Sequence, residues 1–162
     1  QIEPLARLAA LNRCNKQLQN WRVALPPAEP LVMDFGLGRF EEVGLYEFWI
    51  ANEVNAGYCG KYMFLLNGQL CPRHSHQFKH ETFFVVQGTI AVTLGDDAFD
   101  LNAGETLAIE PRRIHSFQAK NGAALVLELS MPCDPRDNIF VEPKTNDWLK
   151  ADVSGAVLSS GV

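Results

Sequence analysis

The 162-residue chain has few cysteines, and its four, Cys14, Cys59, Cys71 and Cys133, show no CxxC spacing. A chain of this length buries a sizeable core without covalent staples, so reduced thiols in one cytoplasmic domain are the expectation. Long apolar runs are missing too; none approaches the ~20 residues a membrane span needs. Basic charge is in deficit, with 14 Lys and Arg against 19 Asp and Glu and a net charge of -5. No field exists to draw nucleic acid or an anionic membrane, and a small-molecule ligand is the better expectation. The opening Gln1-Ile2-Glu3-Pro4-Leu5-Ala6-Arg7 lacks the basic, apolar, small-residue order of a secretory signal. Internal repeats and low-complexity segments are also absent.

What is present changes texture along the chain. Leu5, Leu8, Ala9, Leu11, Leu18 and Trp21 recur mostly at helical spacing, which predicts one or two amphipathic helices. Pro26-Pro27-Ala28-Glu29-Pro30 then forbids helix continuation and reads as an extended connector. Short alternating or apolar runs follow at Val43–Ile50, Lys61–Leu66, Thr82–Val86, Thr89–Leu94, Leu107–Ile109 and Ala124–Ser130. Turn pairs such as Asn67-Gly68, Gln87-Gly88 and Asn121-Gly122 separate them. Many short strands without intervening helices predict an all-β sandwich or barrel. The expected layout is a helical arm and connector over residues 1–30, a barrel over 31–143 and an irregular tail over 144–162.

Three histidines and a glutamate crowd residues 74–81, His74-Ser75-His76-Gln77-Phe78-Lys79-His80-Glu81. Two residues apart on a strand, His74 and His76 leave the same face and converge on one point inside a barrel. Imidazoles with a carboxylate suit a divalent first-row metal rather than calcium. Lone histidines near strand ends are usually solvated or hydrogen-bonded; it is the spacing that favours a site here. His80 reads as a surface residue.

Gly68, five residues, His74, one, His76, four, Glu81, six, Gly88 resembles the first signature of the cupin superfamily at every position. Gly104, six residues, Pro111 and His115 resemble the second, with three residues rather than four between proline and histidine. Fifteen residues, Thr89 to Ala103, separate the two signatures. The resemblance implies a double-stranded β-helix barrel in which His74, His76, Glu81 and His115 ligate a metal. Manganese is preferred, with iron, nickel, cobalt or zinc as alternatives. Four ligands of this kind leave an octahedral ion about two open positions.

Further stretches, Met33–Gly38, Tyr58–Lys61, Gly68–His76, Lys79–Phe83, His115–Ala119, Glu128–Ser130 and Asp137–Phe140, together resemble the short bacterial D-lyxose isomerase type of cupin. That resemblance implies an aldose-ketose isomerase working through a cis-enediolate, with the metal bridging O1 and O2 of a pentose or pentulose. Lys61 and Glu128 each put one charge on an otherwise apolar strand face, and such a residue is paired or used. The resemblance favours Glu128 as the base between C1 and C2, Lys61 as a donor to a substrate oxygen, and Lys79 as a substrate contact.

Two residues leave alternatives open. Arg113 is either a solvated loop charge or a bidentate contact for a sugar phosphate. Cys71 is either a small buried hydrophobe or the thiolate of another cupin chemistry, a 1-methylthio-xylulose 5-phosphate methylsulfurylase. A non-catalytic sugar-binding cupin is a further alternative. The helical arm and an open barrel edge favour a homodimer.

Overall fold

Helix α1 runs over Pro4–Trp21, a single helix in a computed structural model that describes residues 2–159. Proline in its first turn costs no hydrogen bond, and Arg22 closes it in the left-handed region, its N–H shared between the Leu18 and Gln19 carbonyls. Ala10, Cys14 and Leu18 recur every four residues and form its buried stripe.

The strands are β1 (Leu31–Met33), β2 (Leu45–Glu53), β3 (Tyr58–Leu65), β4 (Leu70–His76), β5 (Glu81–Gln87) and β6 (Thr89–Leu94). After them come β7 (Asp97–Asn102), β8 (Thr106–Ile109), β9 (His115–Ala119), β10 (Ala124–Ser130) and β11 (Asn138–Phe140). Two antiparallel sheets result, in the orders β1-β2-β3-β10-β5-β8 and β11-β4-β9-β6-β7. Every predicted strand run overlaps one of these elements.

Strand alternation sorts side chains into two apolar layers. Leu45, Met63, Leu65, Phe83, Val85 and Val126 of the six-stranded sheet face Ile90, Val92, Phe117 and Ala119 of the other, forming the main core. On the outer face, Tyr46, Phe48, Phe64 and Leu125 pack under α1, and Tyr46 donates its hydroxyl to the Ala10 carbonyl at 2.9 Å. Each such aromatic or aliphatic side chain, fully buried, is worth about 1.5–3 kcal/mol. With α1 covering one outer face, the barrel interior is left for the site.

Gly88 shows why a turn residue was required between β5 and β6, which belong to different sheets. Its φ is +81°, and a Cβ there would collide with the Ala123 carbonyl oxygen. The chain thus crosses from sheet to sheet.

The segment expected to be an irregular tail is instead helix α2, Pro143–Ser159. Pro143 is at its first position, a start signal, but Trp148 and Leu149 are adjacent rather than spaced on one helical face. The helix packs on β11. Trp148 lies so close to Gly36 that any Cβ at that glycine would overlap it. Residues 160–162 of the expected tail lie outside the described residues. Among the described residues, no helix is long and apolar enough to cross a membrane.

Candidate metal centre

His74 and His76 end β4, and His115 opens the neighbouring β9, with His74 and His115 as Cα partners. Glu81 opens β5 on the opposing sheet. One ligand atom from each of these four buried residues falls within 4.8 Å of the others. The expected set thus converges.

The backbone fixes which imidazole nitrogens face inward. Nδ1 of His74 contacts the Pro72 carbonyl at 2.8 Å, that of His76 the Asp137 carbonyl at 3.2 Å, and that of His115 the Arg113 carbonyl at 2.9 Å. A carbonyl only accepts, so Nδ1 of each ring carries a hydrogen and Nε2 is the nitrogen turned into the cluster. His115 Nε2 is 2.8 Å and His76 Nε2 3.3 Å from Glu81 Oε1. Yet all three atoms are buried without a hydrogen bond of acceptable geometry. Lone pairs gathered around one point, with their tautomers set by outer carbonyls, fit a divalent cation. Burial together with the neighbouring rings His115 and His76 holds His74 well below the ordinary imidazole value, so it is neutral, as a ligand must be.

Asp137 organises the loop between these ligands. Its carboxylate accepts the N–H groups of Gln77 at 2.8 Å, Phe78 at 3.2 Å and Lys79 at 3.0 Å. The loop then delivers Lys79 inward, where Nζ reaches Glu81 Oε2 at 2.9 Å and Glu128 Oε1 at 3.0 Å.

Glu128 pairs with Lys61 across β10 and β3. Lys61 Nζ is 3.5 Å from Glu128 Oε2 and 2.6 Å from Glu47 Oε1, and lies 5.0 Å from the Trp49 ring centre. Ser130 donates to Glu128 Oε1 at 3.0 Å. Burial pushes the Glu128 carboxyl up, but Lys61 and Lys79 outweigh it and hold the group below its ordinary value. Conversely, burial works against the Lys61 ammonium, and Glu128 and Glu47 raise it well above the usual lysine value despite that. Five side chains therefore alternate in sign: Glu47, Lys61, Glu128, Lys79, Glu81. They line a cavity of about 230 Å³ whose other walls include Trp49, Phe35, Phe140 and Trp148.

Cys71 also lines this cavity, on β4, with Sγ 4.0 Å from His74 Nδ1. It is buried, and burial pushes its thiol well above the ordinary value, with Lys61 opposing only in part. Cys59, on β3, is buried too, and burial also pushes its thiol up. Arg113 is not brought to the site. Its carbonyl turns in to His115 Nδ1 while its exposed side chain runs outside, beside Gly95. Strand alternation does not extend back from His115, because β9 begins there. Arg112 and Arg73 are exposed as well, and His80 is half-exposed, 3.3 Å from Glu110.

Glu47, Trp49, Asp137 and Trp148 carry no role in the sequence reading. For Glu47 the signal was available: it is a charge between inward-facing Leu45 and Trp49, the same pattern that marked Lys61 and Glu128. Trp148 and Asp137 reach the site only through tertiary packing.

The family model described as a cupin domain matches residues 61–131. A D-lyxose/D-mannose isomerase of Thermosediminibacter oceani is 31% identical over 78% of this chain and 86% of its own length. A D-lyxose ketol-isomerase of a Thermofilum species is 28% identical over 69% of this chain and 76% of its own. Among solved structures, the L-ribose isomerase of Acinetobacter sp. DL28 in complex with L-ribose superposes with a TM-score of 0.77 at 15% identity, covering 90% of this chain and 95% of that one. The Cellulomonas parahominis L-ribose isomerase gives 0.72 at 17% identity over 85% and 91%. At such identity these two show the fold alone, a cupin barrel. With the curated relative's identity and coverage added to the signatures and the barrel, the chain belongs to the D-lyxose isomerase-like family of cupins.

Proposed function

We propose that this cupin is a metal-dependent aldose-ketose isomerase acting on an unphosphorylated pentose or hexose, D-lyxose being the first candidate. The observation that carries the reading is the placement of Glu128, a buried carboxylate joined through Lys79 to Glu81 of the four-residue cluster. His74, His76, Glu81 and His115 would hold the ion. When bound, a divalent ion supplies Lewis acidity that polarises the sugar carbonyl and so acidifies the adjacent C–H.

Glu128 performs the proton transfer. Lys61 and Lys79 keep it ionised, so it is a base at neutral pH; it takes the C2 proton of the aldose and returns it to C1, while the hydroxyl proton passes from O2 to O1. Lys79 and Lys61 donate to the substrate oxygens as charge develops on them. Phe35, Phe140 and Trp148 give the cavity apolar walls, and a less polar surrounding strengthens those interactions. With no arginine in the lining, the cavity offers no bidentate cation for a phosphate ester and suits a neutral sugar better.

The thiomethyl-transfer reading has Cys71 in the cavity wall as its one supporting observation. Its raised thiol value and the exterior position of Arg113 count against it. Cys71→Ser separates the two: the isomerase keeps most of its activity, whereas a thiol-dependent enzyme stops. Glu128→Gln tests the main reading, with turnover expected to fall by about 100-fold or more at unchanged metal content. Retained turnover would remove Glu128 from the chemistry, and oxygen uptake coupled to turnover would replace the isomerase with an oxygenase.

A further inference from the structure

Glu47 is the one member of the charge ladder that the proton-transfer chemistry does not use. It alternates with Leu45 and Trp49 on β2, so its side chain enters the cavity, and it is 8% exposed. Oε1 accepts from Lys61 Nζ at 2.6 Å. Oε2 is not among the buried side-chain atoms left without a partner, and the carboxylate lines the cavity, so this oxygen is reachable by a donor that enters there.

The sheet order says where that donor comes from. Glu81 is on β5, and β10 and β3 separate it from β2. Three strand spacings put the two backbones roughly 14 Å apart. Glu47 therefore stands at the end of the cavity remote from the four-residue cluster, with Glu128 and the lysines between. A sugar whose reacting carbons lie at Glu128 and the cluster directs its remaining hydroxyls towards Glu47.

A carboxylate at that end distinguishes between two chemistries for the far end of the substrate. A hydroxyl donates to it; a phosphate dianion is repelled. Lys61, the cation beside it, is already shared between Glu47 and Glu128, so one ammonium faces two carboxylates and is not free to pair with a phosphate. We infer that Glu47 is a specificity-determining residue, accepting a hydrogen bond from the terminal hydroxyl of an unphosphorylated sugar and rejecting the sugar phosphate. The inference rests on the isomerase reading for its substrate class, and the test separates the two.

The experiment compares D-lyxose with 5-deoxy-D-lyxose on the metal-loaded protein, and follows calorimetric binding of the unreactive alditols made by reducing each sugar. The wild type is expected to favour the 5-hydroxyl form by about tenfold or more in kcat/KM and in alditol affinity, the ratio expected for a hydrogen bond to a charged group. In Glu47→Ala that preference collapses towards unity, chiefly through KM. In Glu47→Gln, which keeps the shape if the alanine variant fails to fold, discrimination against D-lyxose 5-phosphate also narrows. An unchanged preference, or a fall in kcat alone, overturns the inference and leaves Glu47 as a support for Lys61. If the wild type turns over neither sugar, the isomerase reading fails. The alditol arm then decides the Glu47 assignment alone: a preference lost on mutation upholds it, and no preference overturns it.

Discussion

Lys79 Nζ donates to Glu128 Oε1 at 3.0 Å, tying the loop ahead of β5 to the middle of β10. The same ammonium lies 2.9 Å from Glu81 Oε2, so one buried lysine holds a carboxylate on each side. Breaking a buried pair from one partner leaves an uncompensated charge, at a cost of about 3–5 kcal/mol. Lys79→Met is expected to lose stability on that scale in chemical denaturation. Adding Glu128→Gln should restore part of the loss, because the stranded charge is then gone. A loss that is merely additive would show that Lys79 and Glu128 do not act as a pair.

His76→Ala should cost the protein its metal without costing it the barrel. The main core of Leu45, Phe83, Val85 and Phe117 does not depend on the ion. Metal analysis after dialysis is expected to give well under one ion per chain in the variant against one in the parent, with far-ultraviolet circular dichroism unchanged. Stoichiometric metal in the variant would remove His76 from the ligand set.

The depressed value of Glu128 sets a pH dependence of stability. Its carboxyl in the folded protein titrates below the ordinary value because Lys61 and Lys79 outweigh burial. The unfolded chain therefore takes the proton first as pH falls. The stabilisation is complete above the ordinary carboxylate pKa, near 4.3, and is lost as pH drops through the folded value. Denaturation midpoints of wild type and Glu128→Gln should therefore run parallel from pH 7 to about 5 and converge below it. Convergence on the alkaline side instead would contradict the sign of the shift.

Thiol accessibility gives an independent check on Cys71. Cys14 and Cys71 are buried, at 0% and 4% exposure, and burial lifts Cys14 to about 12. Cys133 is only partly covered. In the native protein, alkylation at mild pH followed by peptide mapping is expected to find Cys133 modified well before Cys71 or Cys14. Early labelling of Cys71 would reopen the thiomethyl-transfer reading.

Much of this was legible because strand geometry is a two-residue code. His74 and His76 share a face for that reason, and Lys61 and Glu128 stand out as charges on faces otherwise occupied by Met63, Leu65 and Val126. The same code failed at Arg113, where a turn precedes the strand. It missed β7 because Asp97-Ala98-Phe99-Asp100-Leu101-Asn102 is an exposed edge with little apolar contrast. Helix α2 was illegible for a different reason. Trp148 and Leu149 are held by Gly36 and the cavity rim, contacts made by residues about a hundred positions away that leave no local period.

The most direct test is to load the protein with manganese, incubate it with D-lyxose and other aldoses in heavy water without oxygen, and follow the sugar by NMR. A ketose should accumulate from at least one aldose, deuterium should enter at C1 or C2 unless the proton is shielded in transfer, and both signals should vanish in Glu128→Gln while its metal stays bound. Sugar binding with no ketose formed from any aldose, in any metal form, would contradict the isomerase reading and leave a sugar-binding cupin in its place.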